Sequence, residues 1–142
     1  MRTCVSGEAD LSVLLASMAA ELLPGRFVFA TATDPQVVGK IDVLASVRET
    51  EGLSLVMTQE HADRAGLAYD FVAGWITLRV HSALHAVGLT AAVSTALARV
   101  GVSCNVIAGY HHDHLLVPID RAQDALGILR ELAASAGLDQ HR

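Results

Sequence analysis

Residues Gly74 to Ser82, GWITLRVHS, set Ile76, Leu78 and Val80 against Trp75, Thr77 and Arg79, and both alternating sets are bulky. A strand facing water on one side carries small or charged residues at every second position. One that is bulky on both sides has neighbours on both edges and a covering layer. This stretch therefore reads as a central strand, and the segments downstream of it must supply its partners. The loop ALHAVG leads into Leu89, Val93, Leu97 and Val100 at helical spacing, with Gly101 as the end signal. Ser103 to Tyr110 reads as a strand, His111–Asp113 as a tight turn and His114 to Val117 as the returning strand. Asp120 with Gln123 predicts a capping box, opening a helix whose buried stripe is Ala122, Ala125, Leu126, Leu129, Leu132 and Ala136 and which Gly137 ends.

The first half is built from similar parts. Leu11, Leu14, Leu15, Met18 and Leu22 predict an amphipathic helix over 10–22, stopped by Pro24-Gly25. Arg26 to Thr33 is rich in aromatic and β-branched residues and predicts a strand closed by Asp34-Pro35. Residues 43–47 and 53–57 alternate about the turn Glu49–Gly52, a hairpin. Thr58 is an N-cap for the short helix QEHADRA, with Gly66 at its end. The order strand, turn, strand, helix thus recurs about sixty residues later. Two βαββ-type halves that each leave a sheet edge and an apolar face open would complete one another. The expected fold is α+β: two ferredoxin-like βαββαβ-type units side by side, with antiparallel strands and helices on one face, divided into 1–70 and 71–142. A chain of 142 residues, 52% apolar, has the material for that and for little else.

Ten Lys and Arg against fifteen Asp and Glu leave a net charge of −5, without the basic excess that nucleic acid or an anionic membrane would require. Cys4 and Cys104 do not form a disulfide framework, and the first ten residues lack the apolar core of a signal peptide. A cytoplasmic protein with no membrane span is the expectation.

Chemistry could reside in two places. Gly88 stands where a strand-to-helix loop must turn and present free N–H groups; it is either a carboxylate seat or simply a turn glycine. His81 and His85 in that loop, and His111, His112 and His114 around Asp113 in the turn, admit three readings: metal ligands, a polar solvent-facing turn, or ligand recognition through Asp113 or a histidine. Metal spacings such as HExxH or CxxC, the GxGxxG and Walker loops and the GxSxG elbow are all missing, so neither a cofactor nor a nucleophile is called for. Cys104 in an apolar strand reads as an inert thiol, Glu49 and Glu51 as a charged turn.

The run TLRVHSALHAVGLTAAVSTALARVGVSCNVIAGYHHDHLLVP resembles ACT domains, and more closely the small bacterial tandem-ACT proteins regarded as predicted regulators of amino acid metabolism. EGLSLVMTQEHADRAGL resembles their first half, so the likeness spans roughly 10–136. The second run is similar also to the ACT-based cytosolic arginine sensor of animals. The resemblance implies paired ferredoxin-like units, a homodimer, and a small amino acid or related metabolite held at an interface. By position, His81, Ser82, Gly88 and Leu89 would meet the ligand, Asn105, Ile107 and Gly109 would form the opposite wall, and Asp113 would match the sensor's acidic residue. A chain of this size has no room for a catalytic partner, so any output is expected to pass to a separate regulated protein. Two other classes stay open: a metal-dependent enzyme using His111, His112 and His114, and a structural interaction module recruiting a partner through an exposed edge strand.

Overall fold

In the computed structural model, which describes residues 7–140, the central strand is β5, Val72–Arg79, and Trp75, Ile76, Thr77 and Leu78 are all buried along it. One of its edges carries β7 (Asp113–Pro118), in register from Ala73↔Pro118 to Leu78↔Asp113. The other edge is divided: β1 (Ala19–Leu22) pairs with Ile76–Arg79, and β2 (Phe27–Ala32) takes over at Val72 and Ala73. Beyond β2 lie β4 (Leu53–Thr58) and β3 (Ala45–Arg48), and beyond β7 lies β6 (Asn105–Ala108). All are antiparallel within one seven-stranded sheet.

Two ferredoxin-like units follow from this order. The first is β2, α2 (Pro35–Val38), β3, β4 and α3 (Gln59–Arg64), with the start of β5 as its fourth strand. The second begins on the same β5 and continues through α4 (Leu89–Ala98), β6, β7 and α5 (Ala122–Asp139), and its fourth strand is β1 from the N-terminus. Helix α1, Leu11–Ser17, precedes the first unit in sequence but packs with α4 and α5 on the second. Hairpin β3–β4 recurs as β6–β7 sixty residues on, and β4 and β7 bury the same positions in the same order.

Strand alternation sorts the side chains into layers. Ile76, Leu78, Leu115 and Val117 meet Leu14, Val93, Leu97 and Leu129 beneath α1, α4 and α5, while Val28, Leu55 and Met57 meet Ala62 beneath α3. The opposite, helix-free face gathers Phe27, Val56, Ala73, Trp75 and Leu116 into one cluster spanning both units. Burying each large aliphatic chain contributes about 1.5–3 kcal/mol.

Three sequence expectations are corrected. The helix expected over 10–22 ends at Ser17, and Ala19–Leu22 is strand. Leu22 fits the helical stripe, yet the free edge of β5 takes these residues instead. Ala20 is then buried, and Glu21 forms an exposed ion pair with Arg79 on the neighbouring strand. The Asp120/Gln123 capping box does not form: Pro118 leads into a 3-10 turn, Ile119–Arg121, and α5 starts without a side-chain cap. Gly137 lies inside α5, which continues to Asp139. Thr58 does cap α3, accepting from the His61 N–H, and Gly66 follows with φ +65°. Cys4 lies outside the described residues.

At Gly74 helix and sheet approach closely, since a β-carbon there would stand 2.6 Å from Ala122 Cβ in the first turn of α5. Gly74→Ala is expected to lower stability by about 1–3 kcal/mol through overpacking, seen as a lower urea midpoint with unchanged slope. An unchanged midpoint would show that α5 is free to move away.

Candidate functional site

The β5–α4 loop leaves the sheet at Val80 and is met at once by the N-terminal segment. Glu8 N–H donates to His81 O and Ala83 N–H to Glu8 O, both at 2.8 Å, in a parallel bridge. Gly7 sits so close that a β-carbon would lie 2.6 Å from His81 O. The loop ends at Gly88, whose φ of +107° strongly disfavours any side chain and which caps α4 with no side-chain hydrogen bond. Leu89 buries its side chain in the core, leaving its backbone for any other contact. Leu84 and Val87 are 69% and 83% exposed.

Across the end of the sheet stands the β6–β7 turn. Gly109 N–H donates to His112 O at 2.9 Å, and a β-carbon on Gly109 would press on that oxygen and on His114 Nε2. His81 lies 5.4 Å from His111 and 6.5 Å from Tyr110, ring to ring, so the loop and the turn adjoin. His114, opposite Thr77, points to the helix-free face. Its Nδ1 is 3.2 Å from Trp75 Nε1 and 3.1 Å from Thr77 Oγ1. An indole N–H only donates, so His114 Nδ1 must accept and the ring is neutral with its proton on Nε2. Burial, with help from His112, pushes the pKa of His114 down.

Asp113 pairs with Leu78 and faces the helix layer. Burial raises its carboxyl above the usual value, against partial opposition from His114 and His112. No hydrogen bond joins this carboxylate to the described residues. The neighbouring His112 Nδ1 is buried without a partner among them.

The residues expected at the site are thus distributed over two faces. His81 adjoins the turn, Ser82 bridges to Glu8, Gly88 and Leu89 lie by α1, and Asp113 faces the helix side. Asn105 and Ile107 alternate onto the helix-free face, where Ile107 joins the Trp75 cluster and Asn105 Nδ2 reaches Leu116 O at 3.5 Å. The metal alternative is corrected. His114 is turned to Trp75 while His111 faces His81, and among the described residues no three His, Cys, Asp or Glu side chains converge. Burial raises the pKa of the Cys104 thiol, in keeping with an inert group. Sequence reasoning missed Gly7 and Glu8, which carry no signal of their docking.

Two ACT-domain family models match the chain, over residues 6–74 and 71–131, and their overlap falls at the start of the shared strand β5. A Vibrio cholerae protein of unknown function, a possible transport protein, is 48% identical, with a TM-score of 0.79 over 87% of this chain and 95% of that one. An Agobacterium tumefaciens protein is 17% identical, with a TM-score of 0.63 over 82% and 89%. The regulatory subunit of aspartate kinase from Thermus flavus shares the fold at 12% identity, with a TM-score of 0.57 over 81% and 95%. The chain has no match among curated proteins. The class defined is a tandem ferredoxin-like α+β protein. The chain belongs to the ACT-domain family, with two ACT domains in tandem. Among the described residues no helix is long and apolar enough to cross a membrane.

Trp75 is the only tryptophan, so its emission reports on His114. Protonating His114 places a proton on Nδ1 and ends the Trp75 hydrogen bond. The unfolded chain binds that proton from about pH 6.5 downward and the fold only at lower pH, so stability falls as pH drops through this window. Trp75 emission is expected to fall with it, and His114→Gln to remove the step. A step that survives the substitution would contradict the assigned tautomer.

Proposed function

We propose that this protein is a non-catalytic regulatory module that binds a small amino acid or related metabolite where the β5–α4 loop meets the β6–β7 turn. The observation that carries this is the buried His112 Nδ1, without a partner among the described residues, beside the half-buried Asp113 carboxylate in the turn that adjoins the loop. Buried polar groups without partners are costly and uncommon, and a ligand offering a cationic donor would satisfy Asp113 directly. The ligand's carboxylate would take the free N–H groups at the start of α4, at the end of the loop that carries His81 and Ser82.

Asn105, Ile107 and Gly109 belong to β6 and its turn, at an open edge of the sheet. In the proposed homodimer this edge meets the loop of a second copy, which brings the two walls together and covers Leu84 and Val87. Occupancy would then alter dimer geometry, and the output would pass to a separate regulated protein in the cytoplasm.

A thermal-shift series of the full chain against the twenty amino acids tests this. One amino acid at a hundredfold its Kd should stabilise by about 2.7 kcal/mol. Asp113→Ala and Gly88→Val should each abolish the shift; silence with all twenty would count against the assignment. Leu84→Asp with Val87→Asp should yield monomers by light scattering, and an unchanged dimer would place the interface elsewhere.

A further inference from the structure

The two units differ most in their helices. By the sixty-residue repeat α2 takes the place of α4 and α3 that of α5, but α2 has four residues and α3 six, against ten and eighteen. In the second unit the long helices, with α1, close over the sheet. In the first the short helices leave a cleft of about 570 Å³, lined by Asp34, Val37, Lys40, Asp42, His61 and Arg64 among others. That volume lies within the ~300–1,000 Å³ of ordinary small-molecule sites.

We propose that this cleft is an accessory site for a small zwitterion of the α-amino-acid class, distinct from the site at Asp113. Its charges favour that class. Asp34 is engaged in capping α2, accepting from Gln36 N–H at 2.9 Å, which leaves Asp42 as the carboxylate facing the cleft without a hydrogen-bond partner among the described residues. The Lys40 ammonium and the His61 imidazole have no partner among them either. Arg64 is held only by Glu60 one turn away in an exposed ion pair, a weak contact that a better-placed anion can replace. Cationic groups from both walls thus stand beside one unengaged carboxylate, over the apolar surface of Val37, Ile41 and Ala65. A ligand carboxylate would be drawn to Lys40 and Arg64 and its ammonium to Asp42, with an aliphatic side chain on the apolar lining. Phosphate would bring excess negative charge against Asp34 and Asp42, and an apolar molecule would leave the charged rim unanswered.

The test is amide chemical-shift mapping of the full chain, titrated with each of the twenty amino acids, and with isobutyrate and isobutylamine, which each lack one of the two charges. Saturable shifts at Val37, Ile41 and Ala65 are expected from an aliphatic amino acid. They should weaken at least about tenfold in Lys40→Ala with Arg64→Ala, both exposed positions, and persist in Asp113→Ala. Isobutyrate and isobutylamine should bind at least about tenfold more weakly. Shifts confined to 81–89 and 109–114 would support the site at Asp113 and overturn this one, as would no shift with any amino acid. Shifts at the cleft that vanish in Asp113→Ala would show a single site, and equal binding of isobutyrate would reject the zwitterion.

Discussion

The indole of Trp75 is where the two halves of the molecule are joined. Its ring stands edge-on to Phe27 of the first unit, centroids 5.4 Å apart, and packs at the same separation against His114 of the second. Its backbone carbonyl accepts from Leu23 N–H, in the stretch where β1 gives way to β2. Only Phe27↔Ala73 and Val28↔Val72 tie β2 to β5 by register, so the strand pairing between the units is short. The aromatic cluster on the helix-free face supplies the rest, and edge-to-face pairs contribute about 0.5–1.5 kcal/mol beyond the area they bury.

Sharing a strand also places the candidate site. The β5–α4 loop is the direct continuation of the strand that carries Trp75, and the β6–β7 turn flanks the same strand end. Asp113 and His114 are adjacent and face opposite sides of the sheet, one toward the helices and the other toward Trp75 and Thr77. A ligand that neutralises Asp113 would therefore act one residue from the imidazole at the joint between units. The candidate site and the sheet face shared by both ACT domains thus meet at adjacent residues of one strand.

Periodicity is legible where a segment's own side chains decide its fate. The bulky alternation of β5, the stripe of α4, Thr58 before α3 and the hairpin at 45–58 all follow from local chemistry, and the two-unit fold follows from their order. The failures share one cause, tertiary competition. Ala19–Leu22 has an acceptable helical pattern and becomes strand because β5 offers an open edge. Asp120 has a capping sequence, but Pro118 and the 3-10 turn start α5 differently. For the candidate site, loop position and the ACT resemblance single out Asp113 and Gly88. The docking of Gly7–Glu8 on the loop is backbone to backbone and leaves no trace in side-chain pattern.

Native-state hydrogen exchange of the full chain addresses the shared strand most directly, because amides released only by global unfolding reveal which segments form one cooperative body. Amides of β2 (27–32), β5 (72–79) and β7 (113–118) are predicted to exchange at a common free energy equal to that of global unfolding. A first unit whose β2 and β4 amides open at distinctly lower free energy, while β5 and β7 stay protected, would contradict the Trp75 joint as the element that makes the two ACT domains a single structure.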